Sequence, residues 1–186
     1  MELNADDFWS VPKHTVIAYW LIPTEPVHSF FQGIVNDLAR RYDAPVFEPH
    51  LTVHVGANRA GEGQQALGGA TRECTPITLK QLEIDHSDEF IKTLFVQFAL
   101  SKELQQINDI IRRAASDSSQ YDLKPHLSLI YTNMAPATRR EVAASIKVPF
   151  SEVTFGAIKA VRCVSPTRTS ADVKAWRVVA AASLSD

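Results

Sequence analysis

The stretches Pro49-His50-Leu51-Thr52-Val53 and Pro125-His126-Leu127-Ser128-Leu129 constrain the fold more than any other feature of this chain. Each reads as a strand with an imidazole two residues before a hydroxyl. Side chains two apart on a strand share a face, so His50 and Thr52 point one way and Leu51, Val53 and Val55 point to the core. His126 and Ser128 repeat the pattern, with Leu127 and Leu129 opposite. Each motif strand lies between helical segments, and the strands around them do not alternate strictly with crossover helices. That order predicts an α+β fold of two similar lobes rather than a doubly wound parallel sheet.

The segments fall as follows. "HTVIAYWLI", His14 to Ile22, is apolar and rich in β-branched and aromatic residues, and reads as a strand ending at Pro23. Thr24 is a candidate cap for a helix whose stripe is Val27, Phe31, Ile34, Val35 and Leu38. The first motif strand runs from about His50 to Val55. Residues 56–72 hold five of the seven glycines and read as a loop with at best a weak helix near Gln64 to Leu67. Ile77 to Ile84 and Ile91 to Leu100 read as strands. Ser101 then caps a helix with Leu104, Ile107, Ile111 and Ala114 on one face. The polar loop "SDSSQYD" leads to the second motif strand, His126 to Tyr131, and a short helix follows Pro136. Val153 to Val164 and Val173 to Leu184 are the last strands, hinged by residues 165–170.

With 186 residues and 45% hydrophobic content the chain suits a single domain, residues 1–186, with a sizeable core. No apolar run approaches the roughly 20 residues of a membrane helix. The acidic start, Met1 to Asp7, does not resemble a signal peptide. Two cysteines, Cys74 and Cys163, are too few for a stapled secreted fold, and read as free thiols of a cytoplasmic protein. A net charge of -2 makes a long nucleic acid an unpromising partner. The charge is uneven, however, at +4 over residues 120–186 and -6 before them. That suits a C-terminal part that helps receive a small anion.

Two imidazole–hydroxyl pairs on neighbouring strands can surround one phosphoryl group. A neutral histidine can take a proton from water while a protonated one gives a proton to the leaving oxygen, because the ordinary histidine pKa of about 6.5 allows both forms near neutrality. The hydroxyls would donate to the non-bridging oxygens, where charge accumulates. No cofactor and no metal is called for. His50 and His54 are four apart, but on a strand that spacing covers about 13 Å, against a zinc–nitrogen bond of about 2 Å. His54 therefore reads as a structural group. Trp176 reads as core and Arg168 as a solvated loop residue, while His14, His28 and His86 carry no role.

The paired His-x-[Thr/Ser]-x motifs resemble the signature of the two-histidine (2H) phosphoesterase superfamily. "YWLIP" at 19–23, "FEPHLTV" at 47–53 and "KPHLSLIY" at 124–131 make the chain most similar to its cyclic nucleotide phosphodiesterases linked to tRNA splicing. The resemblance spans nearly the whole chain. It implies two antiparallel-sheet lobes about a pseudo-two-fold axis, with a water-filled cleft between them. It implies opening of ADP-ribose 1″,2″-cyclic phosphate or nucleoside 2′,3′-cyclic phosphates. The protein is expected to be a monomer. Carried over by position, His50 and His126 become the acid/base pair, and Thr52 and Ser128 the phosphate donors; within the pair we assign His126 as the base and His50 as the acid. Trp20 and Tyr131 become ligand contacts, although Tyr131, five residues after His126, reaches the cleft only if its strand ends or bulges near Ile130. RNA-end processing and a non-catalytic nucleotide-binding module are the alternatives.

Overall fold

The computed structural model describes residues 11–116 and 121–185. The acidic start and part of "SDSSQYD" lie outside the described residues. The elements run β1 (His14–Pro23), α1 (Val27–Tyr42), β2 (Leu51–Ala57), α2 (Glu62–Glu73), β3 (Ile77–His86), β4 (Leu94–Phe98), α3 (Lys102–Ala114), β5 (His126–Ile130), α4 (Pro136–Ser145), β6 (Glu152–Ser165), α5 (Ser170–Lys174) and β7 (Arg177–Ser183). Every strand pairing is antiparallel, in the order β1-β2-β5-β4-β3-β6-β7, and β1 also pairs with β6. The α+β architecture expected from the sequence is the one observed.

The ring of strands is pinched where β2 meets β5, joined only through Leu51 opposite Leu127. On one side stand β2, β1, β6 and β7, with α2 against β7 and α3 against β2. On the other stand β5, β4 and β3, with α1 against β5 and α4 against β3. The two halves meet again where the start of β6 pairs with β3. Burial of Leu51, Val53, Leu127 and Leu129 in one apolar cluster gives each motif strand a dry face. That packing fixes which way the opposite face, with its histidine and hydroxyl, must look.

Several boundaries differ from those the sequence suggests, for local reasons. Thr24 does not cap α1: its hydroxyl donates to the Thr154 carbonyl, and the Glu25 carboxylate accepts from the Ser29 amide instead. Residues 62–73 form a full helix. Its glycines are contact points, since a Cβ on Gly69 would stand 2.8 Å from that of Ala114 and one on Gly63 3.1 Å from that of Ala160. β4 begins only at Leu94, after a 3-10 turn at Phe90–Lys92. The C-terminal strand begins at Arg177, because Thr169 and Asp172 form a capping box that makes residues 170–174 helical. Ser101 does cap α3, accepting from the Leu104 amide at 3.1 Å.

Candidate active site

A cavity of about 470 Å³ opens between the two halves, lined by His50, Thr52, His126, Ser128, Trp20 and Tyr131 among others. All six residues singled out in the sequence therefore face one space. The two histidines are held in the same way. His50 Nδ1 donates to the Glu48 carbonyl at 2.6 Å, and His126 Nδ1 donates to the Lys124 carbonyl at 2.7 Å, each two residues upstream. A carbonyl can only accept, so Nδ1 carries the hydrogen in both rings. Nε2 is left to the cavity.

The sheet's irregularities decide what accompanies them. Tyr19 pairs with His54 and Trp20 with Thr52, so Val53 is an extra residue, a β-bulge. Leu94 pairs with Ile130 and Phe95 with Ser128, so Leu129 is the equivalent bulge in β5. Each bulge directly follows the motif hydroxyl and shifts the alternation by one. Tyr131 thereby comes onto the cavity wall, as the sequence reading required. Val55 does so too, against the expectation that it faces the core. His54 and Ile130 turn inward instead, at 0% and 1% exposure. His54 sits beside Tyr19 and Tyr121, on the other face from His50, and cannot share an ion with it.

Trp20 is both buried and at the site. Its ring stacks on His50 with centroids 3.7 Å apart and planes 12° apart. Trp176 is corrected from core to wall: it lines the cavity and stands edge-on to Trp20, His50 and Tyr131. Its Nε1 is buried with no hydrogen-bond partner among the described residues. A tryptophan on an apolar strand end carries no sequence mark that separates wall from core. Tyr131 in turn stacks on Phe47 at 3.9 Å.

The polar surroundings were not legible in the motifs. Lys159, opposite Trp20 across β1 and β6, donates to both Glu48 carboxylate oxygens at 2.7 and 2.6 Å. His28 lies between Glu48 and Glu25, at 3.4 and 3.5 Å, so it has a structural connection the sequence did not reveal. The residue whose carbonyl aims His50 is thus itself anchored through its side chain. Ser128 donates to the Ile91 carbonyl at 3.0 Å, so its proton is already committed.

Burial dominates the electrostatics. It pushes the His50 pKa down to about 3, with the charges of His126 and Lys159 acting in the same direction and the Glu48 carbonyl opposing. Burial also lowers His126, aided by Lys92 and opposed by the Lys124 carbonyl and by Glu89. Among the described residues no group of three His, Cys, Asp or Glu is arranged to hold a metal ion.

The fold and the facing histidine–hydroxyl pairs define a two-histidine phosphoesterase. In overall fold the chain is similar to E. coli LigT (TM-score 0.60, 13% identity, 92% of this chain and 98% of that one). It is also similar to TT0787 of Thermus thermophilus (TM-score 0.55, 15% identity, 91% and 97%). Over 176 residues it is 22% identical to a cyclic phosphodiesterase of Arabidopsis thaliana, covering 92% of this chain and 97% of the relative. The sequence profile of the family described as cyclic phosphodiesterase-like protein matches residues 15–184, and the chain belongs to that family of phosphoric diester hydrolases.

Proposed function

We propose that this enzyme hydrolyses a small cyclic phosphate, ADP-ribose 1″,2″-cyclic phosphate or a nucleoside 2′,3′-cyclic phosphate, without a metal. One observation carries the reading. Two histidines from different halves of the fold, each fixed in the same tautomer by a carbonyl two residues upstream, turn Nε2 into one cavity. LigT, of similar fold, has been crystallised with 3′-AMP, which supports a nucleotide-sized ligand in this type of cleft.

In the reaction His50 Nε2 takes a proton from water. The hydroxide attacks phosphorus, the bond to one ring oxygen breaks, and protonated His126 gives its proton to that oxygen. The product is a phosphomonoester, and proton exchange with solvent resets the pair. These roles reverse the order assigned from the sequence. His50 is the more enclosed, under the Trp20 ring, and stays neutral. Burial lowers the His126 pKa as well, but the Lys124 carbonyl and Glu89 oppose it, and a bound phosphate favours the charged form in the same direction. Thr52 and Ser128 donate to the non-bridging oxygens, Ser128 after releasing Ile91. Trp20, Trp176 and Tyr131 wall the sugar or base.

Among the described residues no helix is long and apolar enough to cross a membrane. Free, buried Cys74 and Cys163 support residence in a reducing cytoplasm. The test is a panel of cyclic phosphates, with an RNA bearing the same terminus, offered to chelator-treated enzyme and followed by product identification. Turnover of the small cyclic phosphates to monoesters is expected. Preference for the RNA, stoichiometric binding without product, or activity restored only by an added metal would each replace this reading.

A further inference from the structure

The cavity is longer than the catalytic cluster requires. Along β1 its wall runs from Trp20 through Ala18 to Val16, about 13 Å of strand. Trp20 pairs with Thr52 and marks the histidine end. Val16 pairs with Cys163, and the wall continues past it into Ser165, Pro166, Thr167 and Arg168. Among the described residues, the charged side chains on the wall other than the histidines are Glu89, which acts on His126, and Arg168, toward the opposite end.

The loop that carries Arg168 is tied down at every turn. Thr167 Oγ1 donates to the Val164 carbonyl at 2.6 Å. The buried Asp172 carboxylate accepts from the amides of Arg168 and Thr169 at 3.0 and 3.1 Å, and from Lys13 at 2.7 and 2.9 Å. Those bonds, the Lys13 contact first, hold the Asp172 pKa down to about 2, so the clamp stays charged at any working pH. Lys13 pairs with the Asp172 carboxylate, and the Arg168 guanidinium is left with no hydrogen bond or ion pair among the described residues. A rigid loop thus presents one uncommitted fork of donors to the far end of the cleft. Guanidinium matches phosphate oxygens in that geometry. The positive balance of residues 120–186 has the same sense.

We infer that Arg168 is a second anion subsite, and that it selects cyclic phosphates whose nucleoside or sugar carries a further phosphate, as a monoester or within a pyrophosphate. This rests on the function proposed above. The cyclic phosphate sits between His50 and His126, and the second phosphate reaches along β1 to the guanidinium. Because Arg168 is exposed at the rim, the contact is sensitive to salt.

The experiment compares adenosine 2′,3′-cyclic phosphate with its 5′-phosphorylated form in wild type, Arg168→Ala and Arg168→Lys. The wild-type kcat/KM ratio is expected to favour the 5′-phosphorylated substrate by roughly tenfold, the lower end for a charge-assisted hydrogen bond at an exposed rim. The ratio should fall toward one in Arg168→Ala, remain partly in Arg168→Lys, and shrink in wild type as salt rises. A wild-type ratio near one, or a ratio that Arg168→Ala leaves intact, overturns the subsite while leaving the hydrolase reading in place. Hydrolysis of neither of these nor of ADP-ribose 1″,2″-cyclic phosphate overturns the hydrolase reading, and the subsite with it.

Discussion

His50 should make this protein sensitive to acid, by an amount that follows from its burial. At 6% exposure, under the Trp20 ring, its pKa is about 3, against 6.5 for an unperturbed imidazole. A group neutral in the folded state and protonated in the unfolded state draws the equilibrium toward unfolding as pH falls. The loss is absent well above 6.5, grows as pH drops through 6.5, and levels off only below the folded value. Each pH unit inside that window corresponds to about 1.4 kcal/mol, so between pH 7.5 and 4.5 His50 alone should remove about 2.7 kcal/mol. The perturbation is His50→Phe, which keeps an aromatic ring on Trp20 and deletes the titration. Urea unfolding of both proteins at pH 7.5, 6.5, 5.5 and 4.5 gives the difference in stability at each pH. The lost bond to the Glu48 carbonyl adds an offset that does not vary with pH. His126 acts in both proteins and largely cancels. The wild type should lose ground to the variant by about 2–3 kcal/mol across the series. Parallel stability curves would refute the claim that His50 is held neutral by burial.

His50→Ala and His126→Ala should each lower kcat by roughly 10²–10⁴ with folding retained by circular dichroism, and a substrate whose leaving group needs no proton should rescue His126→Ala alone. Thr52→Ala should reduce kcat/KM more than Ser128→Ala, because the Ser128 proton must first leave the Ile91 carbonyl; the reverse order in steady-state kinetics would count against that account. In thermal or urea unfolding, Gly33→Ala on the open face of α1 should stabilise by about 0.5–1 kcal/mol. Gly69→Ala, whose Cβ would meet Ala114 at 2.8 Å, should destabilise by about 1–3 kcal/mol.

The motif strands were legible because their alternation is local: a histidine and a hydroxyl two apart must share a face, whatever the strand pairs with. Leu51 and Leu127 are buried as that pattern requires. The failures share a cause in partners distant along the chain. The glycines of 61–69 read as loop until Ala114 and Ala160 are seen against them. Thr24 had the right chemistry for a cap but found Thr154. Val55 and Trp176 were assigned to the core because nothing in their own neighbourhood reveals a bulge at Val53 or a turn of helix at 170–174. The support of His50 by Glu48 and Lys159 joins residues 111 apart, beyond the reach of any spacing rule.

The paired bulges at Val53 and Leu129 bear on the curvature of the cleft. Each motif strand carries one residue more than the neighbour it pairs with, so each must bend at that point. The bends fall at matching places, just beyond Thr52 and Ser128, and both strands arch around the same phosphate-sized space. Removing Val53 and Leu129 together would restore even pairing while keeping every remaining side chain on its present face. Such a double deletion would retain all the chemical groups of the site and lose its concavity, separating the contribution of shape from that of the histidines themselves.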